Sequence, residues 1–191
     1  MNPVIKYLWG LDNDLKRKDC GIDALTILND TAAEMRNEKR APLLILEIGT
    51  FNAYSALVFA QYGVVHTLDI CAQPNTQTVI DMFPCIRENV VRHIGYNQDE
   101  LRLCIKTLAP FDIIFVDGGH GRYAVEKDMA FVEDMGDLIF CHDYRPVFPE
   151  TVAVTDEFVA RGGWKFTQYD EEKTLGLCLL ERETNEQDLQ A

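Results

Sequence analysis

The sequence predicts a doubly wound α/β domain, a mostly parallel sheet with helices on both faces. Three observations carry this. Apolar runs of strand length, at 43–48, 64–69, 111–117 and 138–142, alternate with stretches of helical spacing. The runs are nearly continuous rather than alternating, as in strands covered on both faces. Several close on a polar or acidic residue, at the strand end where such sheets hold ligands.

The elements follow in order. Residues 1–20 are mixed and irregular and read as an N-terminal docking arm. Ile22, Leu25, Ile27, Leu28, Ala32 and Met35 recur at helical spacing, and Pro42 stops that helix after a charged stretch. Residues 43–48 form a buried strand. Residues 55–61 read as a short helix with Gly63 as its stop. Residues 64–69 are a second strand. Residues 74–89 read as a helix broken near Pro84, 90–94 as a short strand, and 99–108 as a helix ended by Pro110. Residues 111–117 are a strong strand, 122–135 a helix and 138–142 a strand. Residues 150–160 are an amphipathic helix ended by Gly162-Gly163. Two strands, 164–169 and 175–180, flank the charged turn 170–173, a hairpin signal. The polar end from Glu181 is expected to fray. Without a repeat or linker, residues 1–191 are expected to form a single domain.

Composition narrows the function. A chain of 191 residues with 47% hydrophobic and 26% charged residues can bury a full core as an ordinary globule. Its net charge of -13 repels phosphate backbones and anionic membrane surfaces, so neither nucleic acid nor membrane is an expected partner. The dense basic run, Lys16-Arg17-Lys18, is short and sits among acids. None of the six cysteines forms a C-x-x-C pair, and a core of this size needs no disulfide. The opening MNPVIKYLWG lacks the basic start and apolar stretch of a signal peptide. No apolar run approaches the roughly 20 residues of a bilayer span. A cytoplasmic location is therefore expected.

The stretch LEIGTFNAYSALVFA sets Glu47 and Gly49 where the first strand ends. A glycine there permits a tight turn and close approach to a ligand. Alone, Gly49 is equally a plain turn, and Glu47 equally a helix cap or a partner for lysine. Together with Asp69, which ends the next strand, they suggest more. Glu47 can accept hydrogen bonds from an amino-bearing or cationic ligand. The helix start after Thr50–Ala53 favours a carboxylate, and Asp69 can clamp both hydroxyls of a ribose. A ligand with a ribose, a positive centre and an amino-acid end satisfies the set.

On these residues the chain resembles the class I S-adenosylmethionine-dependent methyltransferases, whose first motif is E-x-G-x-x-x-G. Ala53 stands where that motif ends in glycine, and the nicotinamide fingerprint G-x-G-x-x-G is absent. The resemblance spans roughly 43–180. It implies a Rossmann-like, three-layer α/β/α fold whose seven-stranded sheet has an antiparallel last strand. It also implies that Glu47, Gly49, Thr50, Phe51, Asn52, Ala53 and Ser55 face the methionine end of S-adenosylmethionine. Asp69 would then take the ribose, Ile70, Tyr96 and Asn97 would flank the adenine, and Asp117 would border the cofactor.

FDIIFVDGGHGRYAVEKDM is similar to the D-G-x-H segment of a subgroup that includes macrocin-type and other small-molecule O-methyltransferases. IFCHDYRPVFPETVAVTDEF is similar to its later [E/H]-D motif, with Glu150-Thr151-Val152 where that motif's following glycine belongs. Methyl transfer to a hydroxyl needs a proton acceptor, and a neutral histidine suits that role. His120 is the candidate base. Asp117 and Asp143 end strands expected side by side, where paired carboxylates call for a neutralising cation. Asp117, His142 and Asp143 are the candidate ligands of a divalent cation. Mg²⁺ prefers oxygen, so His142 suits Mn²⁺ or Zn²⁺ better, and it reads equally as a hydrogen-bonded strand-end histidine. The related catechol-type enzymes carry asparagine where Tyr144 stands here. His66, His93 and Tyr123 read as structural. Trp9, Tyr7 and Phe148 read as packing or as pocket lining.

The expected function is O-methylation of a small hydroxylated acceptor. The acceptor pocket would be built from residues 1–20 and the loops after Asp117 and Asp143, with a second copy of the chain able to complete it. Two alternatives stay open: a non-catalytic module that binds S-adenosylmethionine or a nucleotide, and a nicotinamide-dependent oxidoreductase.

Overall fold

In the computed structural model, which describes residues 2–11, 21–95 and 99–183 apart from the side chains of Trp9, Leu11 and Asp99, the apolar run from Leu43 forms the central strand. This strand, β1 (Leu43–Ile48), pairs in parallel with β2 (Gly63–Asp69) and with β4 (Ile113–Val116). The other strands are β3 (Val90–Ile94), β5 (Leu138–Cys141), β6 (Trp164–Gln168) and β7 (Cys178–Arg182). They form a seven-stranded sheet in the order β3-β2-β1-β4-β5-β7-β6. The last strand, β7, runs antiparallel between β5 and β6. Strand order reverses beside β1, which opens a crevice between β1 and β4 at their carboxyl ends.

Period-two alternation splits the core in two. Leu43 and Ile45 of β1 join a cluster with α1 (Pro3–Leu11), α2 (Ile22–Lys39) and α3 (Tyr54–Phe59). Leu46 and Ile48 point the other way, into a cluster with α5 (Asp99–Lys106), α6 (Arg122–Val132) and α7 (Pro149–Ala160). Each fully buried Leu or Ile contributes about 1.5–3 kcal/mol. Among the described residues no helix is long and apolar enough to cross a membrane.

The structure corrects or refines four expectations. The N-terminal arm contains the helix α1, with Ile5 and Leu8 buried three residues apart and Pro3 in the first turn, where its missing N–H costs nothing. The region 74–89 is broken near Pro84 as expected, but its helical pieces are short. It holds α4 (Thr76–Asp81) and a 3-10 turn at Arg87–Asn89, because Pro84 and the residue before it resist helical geometry. The expected hairpin forms, with β6 and β7 paired antiparallel, but its connection 170–173 is more than a turn. Asp170 accepts a hydrogen bond from the Lys173 N–H and caps the one-turn helix α8 (Glu171–Thr174). Gly63 opens β2 rather than ending a helix; a Cβ there would lie 1.9 Å from the Leu43 carbonyl oxygen.

Candidate active site

A cleft of about 540 Å³ opens at the carboxyl ends of β1, β2, β4 and β5. The turn after β1 lines it with Gly49, Thr50, Phe51, Asn52 and Ser55, and the end of β2 adds Asp69 and Ile70. The ends of β4 and β5 add Asp117, His120, His142 and Asp143. The sequence-marked residues thus converge from both halves of the sheet. Glu47 and Ala53 are not in the lining; both are fully buried behind it. Tyr96 and Asn97 lie outside the described residues, and the described part of α1 does not reach the cleft.

The turn is tight for physical reasons. Gly49 has φ of 100°, and a Cβ on it would stand 1.9 Å from the Asp117 carbonyl oxygen. β1 therefore leaves the sheet in backbone contact with the end of β4. Phe51 (φ 37°) and Ala53 (φ 62°) are both left-handed, a conformation that costs about 1–2 kcal/mol for a residue with a Cβ. At position 53 the backbone thus takes the geometry for which the motif's glycine is suited.

Glu47 shares the parity of Leu43 and Ile45, so it points under the turn toward α3. Its carboxyl oxygens are hydrogen-bonded to the Ser55 and Thr67 hydroxyls, and Thr67 Oγ1 lies 2.7 Å from Thr50 Oγ1. Burial lifts this carboxyl from 4.5 to about 8, with the two hydroxyls opposing and the Asp117 and Asp69 charges adding to the rise. The acid ties β1, β2 and α3 together beneath the cleft. Asp69 does face the cleft, and it also holds the turn: its Oδ2 accepts the Phe51 N–H at 3.0 Å.

At the other side of the cleft, Asp143 (φ 58°) is the hub. Its Oδ2 lies 2.6 Å from His120 Nε2, and its Oδ1 lies 3.1 Å from Arg145 Nη2. Burial alone would raise the Asp143 carboxyl, but the hydrogen bond and charge of His142, with His120 and Arg145, hold it below its ordinary value. His142 Nδ1 stands 3.1 Å from Asp117 Oδ1, and its Nε2 stands 3.3 Å from the Thr174 carbonyl oxygen. The His120 ring stacks on Phe148 at 4.2 Å, and the Arg145 guanidinium lies 5.1 Å from the same ring. Ligand-type atoms of Asp117, His120 and Asp143 fall within 4.8 Å of one another.

Sequence reasoning did not single out Arg102, Asp128 or Arg145. Arg102 and Asp128 both line the cleft and pair at 3.5 Å. Asp128 also explains Gly118, whose Cβ would meet its Oδ2 at 2.7 Å. A signal existed for Asp128, since it closes the apolar-and-acid pattern of the segment after Asp117. Arg145 left none.

The strand order, the crevice beside β1 and the antiparallel last strand define the Rossmann-like fold of class I methyltransferases. Among solved structures, the chain resembles the O-methyltransferase from Bacillus cereus in complex with SAH, at TM-score 0.72 and 15% identity over 95% of this chain and 92% of that one. It likewise resembles TomG from Streptomyces achromogenes, an O-methyltransferase involved in tomaymycin synthesis, in complex with SAM (TM-score 0.69, 15% identity, 96% and 91% covered). A third is cofactor-bound Rv0187 from MTB (TM-score 0.71, 16% identity, 97% and 92% covered). At such identities the likeness establishes the fold. No family model matches the chain, and no curated protein matches it in sequence.

Proposed function

We propose that the protein is an S-adenosylmethionine-dependent methyltransferase acting on a hydroxyl of a small-molecule acceptor, of the subgroup with D-G-x-H and H-D segments. The observation that carries this reading is the convergence of Gly49, Asp69, Asp117 and His120 on one cleft. The residues present suit the cofactor: the bare Gly49 and Gly118 backbones line the cleft, and the Asp69 carboxylate faces its space of about 540 Å³. Solved structures of the same fold hold SAH or SAM. The cross-strand thiols Cys141 and Cys178 remain unpaired, which suits a reducing cytoplasm.

S-adenosylmethionine supplies an electrophilic methyl on a sulfonium. The chain's own residues do the rest. Asp69 and the turn at Gly49–Ala53 hold the cofactor. Asp143 Oδ2, 2.6 Å from His120 Nε2, would engage that side of the ring and leave Nδ1 to act as the base. As an acceptor oxygen took the methyl group with loss of the carbon–sulfur bond, His120 Nδ1 would be placed to receive the hydroxyl proton. The ionised Asp143 then stabilises the imidazolium. Phe148 fixes the ring plane, so orientation contributes much of the rate.

The test is calorimetry with S-adenosylhomocysteine (SAH), joined to turnover on a panel of phenols and glycosides. Wild type binds SAH. Asp69→Ala weakens binding about tenfold or more, the usual loss for a hydrogen bond to a charged group. His120→Ala binds SAH as wild type does but turns over about 10²–10⁴-fold more slowly. A wild type that gives no heat with SAH, or gives heat with NAD instead, sinks the reading.

A further inference from the structure

We propose that His66 and His93 form a proton-sensitive latch that holds the edge strand β3 to β2 and, through β3, braces the end of β2 that carries Asp69. The two side chains come from neighbouring parallel strands. His66 is level with Leu46 and His93 with Leu68, so both rings stand on the face of the second core cluster. His66 Nδ1 lies 2.9 Å from His93 Nε2, a hydrogen bond between the rings. The rings are parallel to within 13°, with centres 5.2 Å apart. That separation is the nitrogen distance plus two ring radii, so the two nitrogens face each other along the line of centres. A proton fits between them and a metal ion does not, because two Zn–N bonds of about 2.0–2.1 Å cannot be laid end to end in 2.9 Å.

The charge of the pair decides whether the bond exists. With both rings neutral, one nitrogen donates and the other accepts, and one added proton still leaves a lone pair to accept. A second added proton puts N–H on both facing nitrogens, and the bond gives way to repulsion between two cations. Among the described residues, no carboxylate on this face answers that charge. Phe111 stands edge-on to His66 at 6.3 Å, and α5 turns Leu101 and Ile105 inward. The charged groups of the surrounding elements are engaged elsewhere: Arg92 with Gln77 at 3.1 Å, Arg102 with Asp128 at 3.5 Å, Asp112 with Lys39 at 2.7 Å, and Arg87 with Glu88 at 3.7 Å. Lys106 leans over the Phe131 ring, and Glu100 and Cys104 are exposed. Burial holds both rings below the ordinary histidine value, and His93 lowers His66 further.

The strand β3 has little else to hold it. It ends the sheet with β2 as its strand neighbour, and none of its five residues is fully buried. Its far end reaches the cleft: Ile94 is level with Asp69, and the Gly95 N–H donates to the Asp69 carbonyl oxygen at 2.9 Å. Local opening frees both rings to take protons at their ordinary value of 6.5. The latch is therefore complete above that value and weakens as pH falls below it, by at most about tenfold per pH unit for each ring.

The experiment measures amide hydrogen exchange in β3, corrected for the intrinsic rate, at pH 7 and pH 5. Protection in wild type falls at least about tenfold between the two. Protection in His93→Gln changes less than about threefold, because an amide can donate to His66 or accept from it. Unchanged protection in wild type, or an equal fall in His93→Gln, overturns the latch. Should His93→Gln fail to fold by circular dichroism, His66→Gln takes its place with the same outcomes, and the wild-type arm needs no variant. A second arm, which rests on the methyltransferase reading, titrates SAH at both pH values. Wild type loses several-fold more affinity than His93→Gln, and equal losses overturn the coupling to Asp69. A wild type that binds no SAH at pH 7 removes the methyltransferase reading and leaves the exchange result to decide the latch.

Discussion

Glu47 carries a proton at neutral pH, because burial lifts its carboxyl from 4.5 to about 8. Between these values the folded chain holds a proton that the unfolded chain has released. Stability from this group is therefore complete below pH 4.5 and falls as pH rises toward 8, by about 1.4 kcal/mol per unit at most. Glu47→Gln keeps the shape and removes the titration. Urea unfolding from pH 5 to 8 should give a flatter profile for Glu47→Gln than for wild type; parallel profiles would show that Glu47 titrates normally. At this scale the sequence marked Gly49, Asp69 and Asp143, which all line the cleft, but not their surroundings. Glu47 reads as a ligand-facing acid until Thr67, from another strand, is known to sit against it. His142 reads as a ligand or as a bonded histidine until Thr174, far along the chain, is placed at its Nε2.

At the scale of elements, close contact between strands decides what the turns can tolerate. Gly49 and Gly162 both have positive φ, 100° and 87°, yet only Gly49 has backbone where a Cβ would go. Gly162→Ala carries the left-handed strain alone, about 1–2 kcal/mol. Gly49→Ala adds a collision with Asp117 that pushes β1 and β4 apart, for a loss of about 3 kcal/mol or more. Urea midpoints of the two variants should rank in that order, and equal losses would refute the close approach of the two strands. Strand elements were legible because their apolar runs record burial on both faces. The helix α1 was not, since its core anchors, Ile5 and Leu8, acquire meaning only against α2 and α3. The helix α8 escaped for a similar reason: one capped turn has too few residues to show a period.

Over the whole molecule, the net charge of -13 surrounds a cleft whose lining already holds Asp69, Asp117 and Asp143. Such a field favours a cationic ligand over a neutral one of the same shape. S-adenosylmethionine and its demethylated product differ by one positive charge at sulfur and little else, so they report the field directly. Raising salt from about 0.01 M to about 1 M shortens the screening length from about 30 Å to about 3 Å. Affinity for S-adenosylmethionine should fall several-fold over that range while affinity for S-adenosylhomocysteine changes little. Titration calorimetry of both ligands across the series measures the difference. An identical salt response for the two would mean that the sulfonium sits outside the reach of these acids, and the field of the cleft would then play no part in choosing between the two ligands.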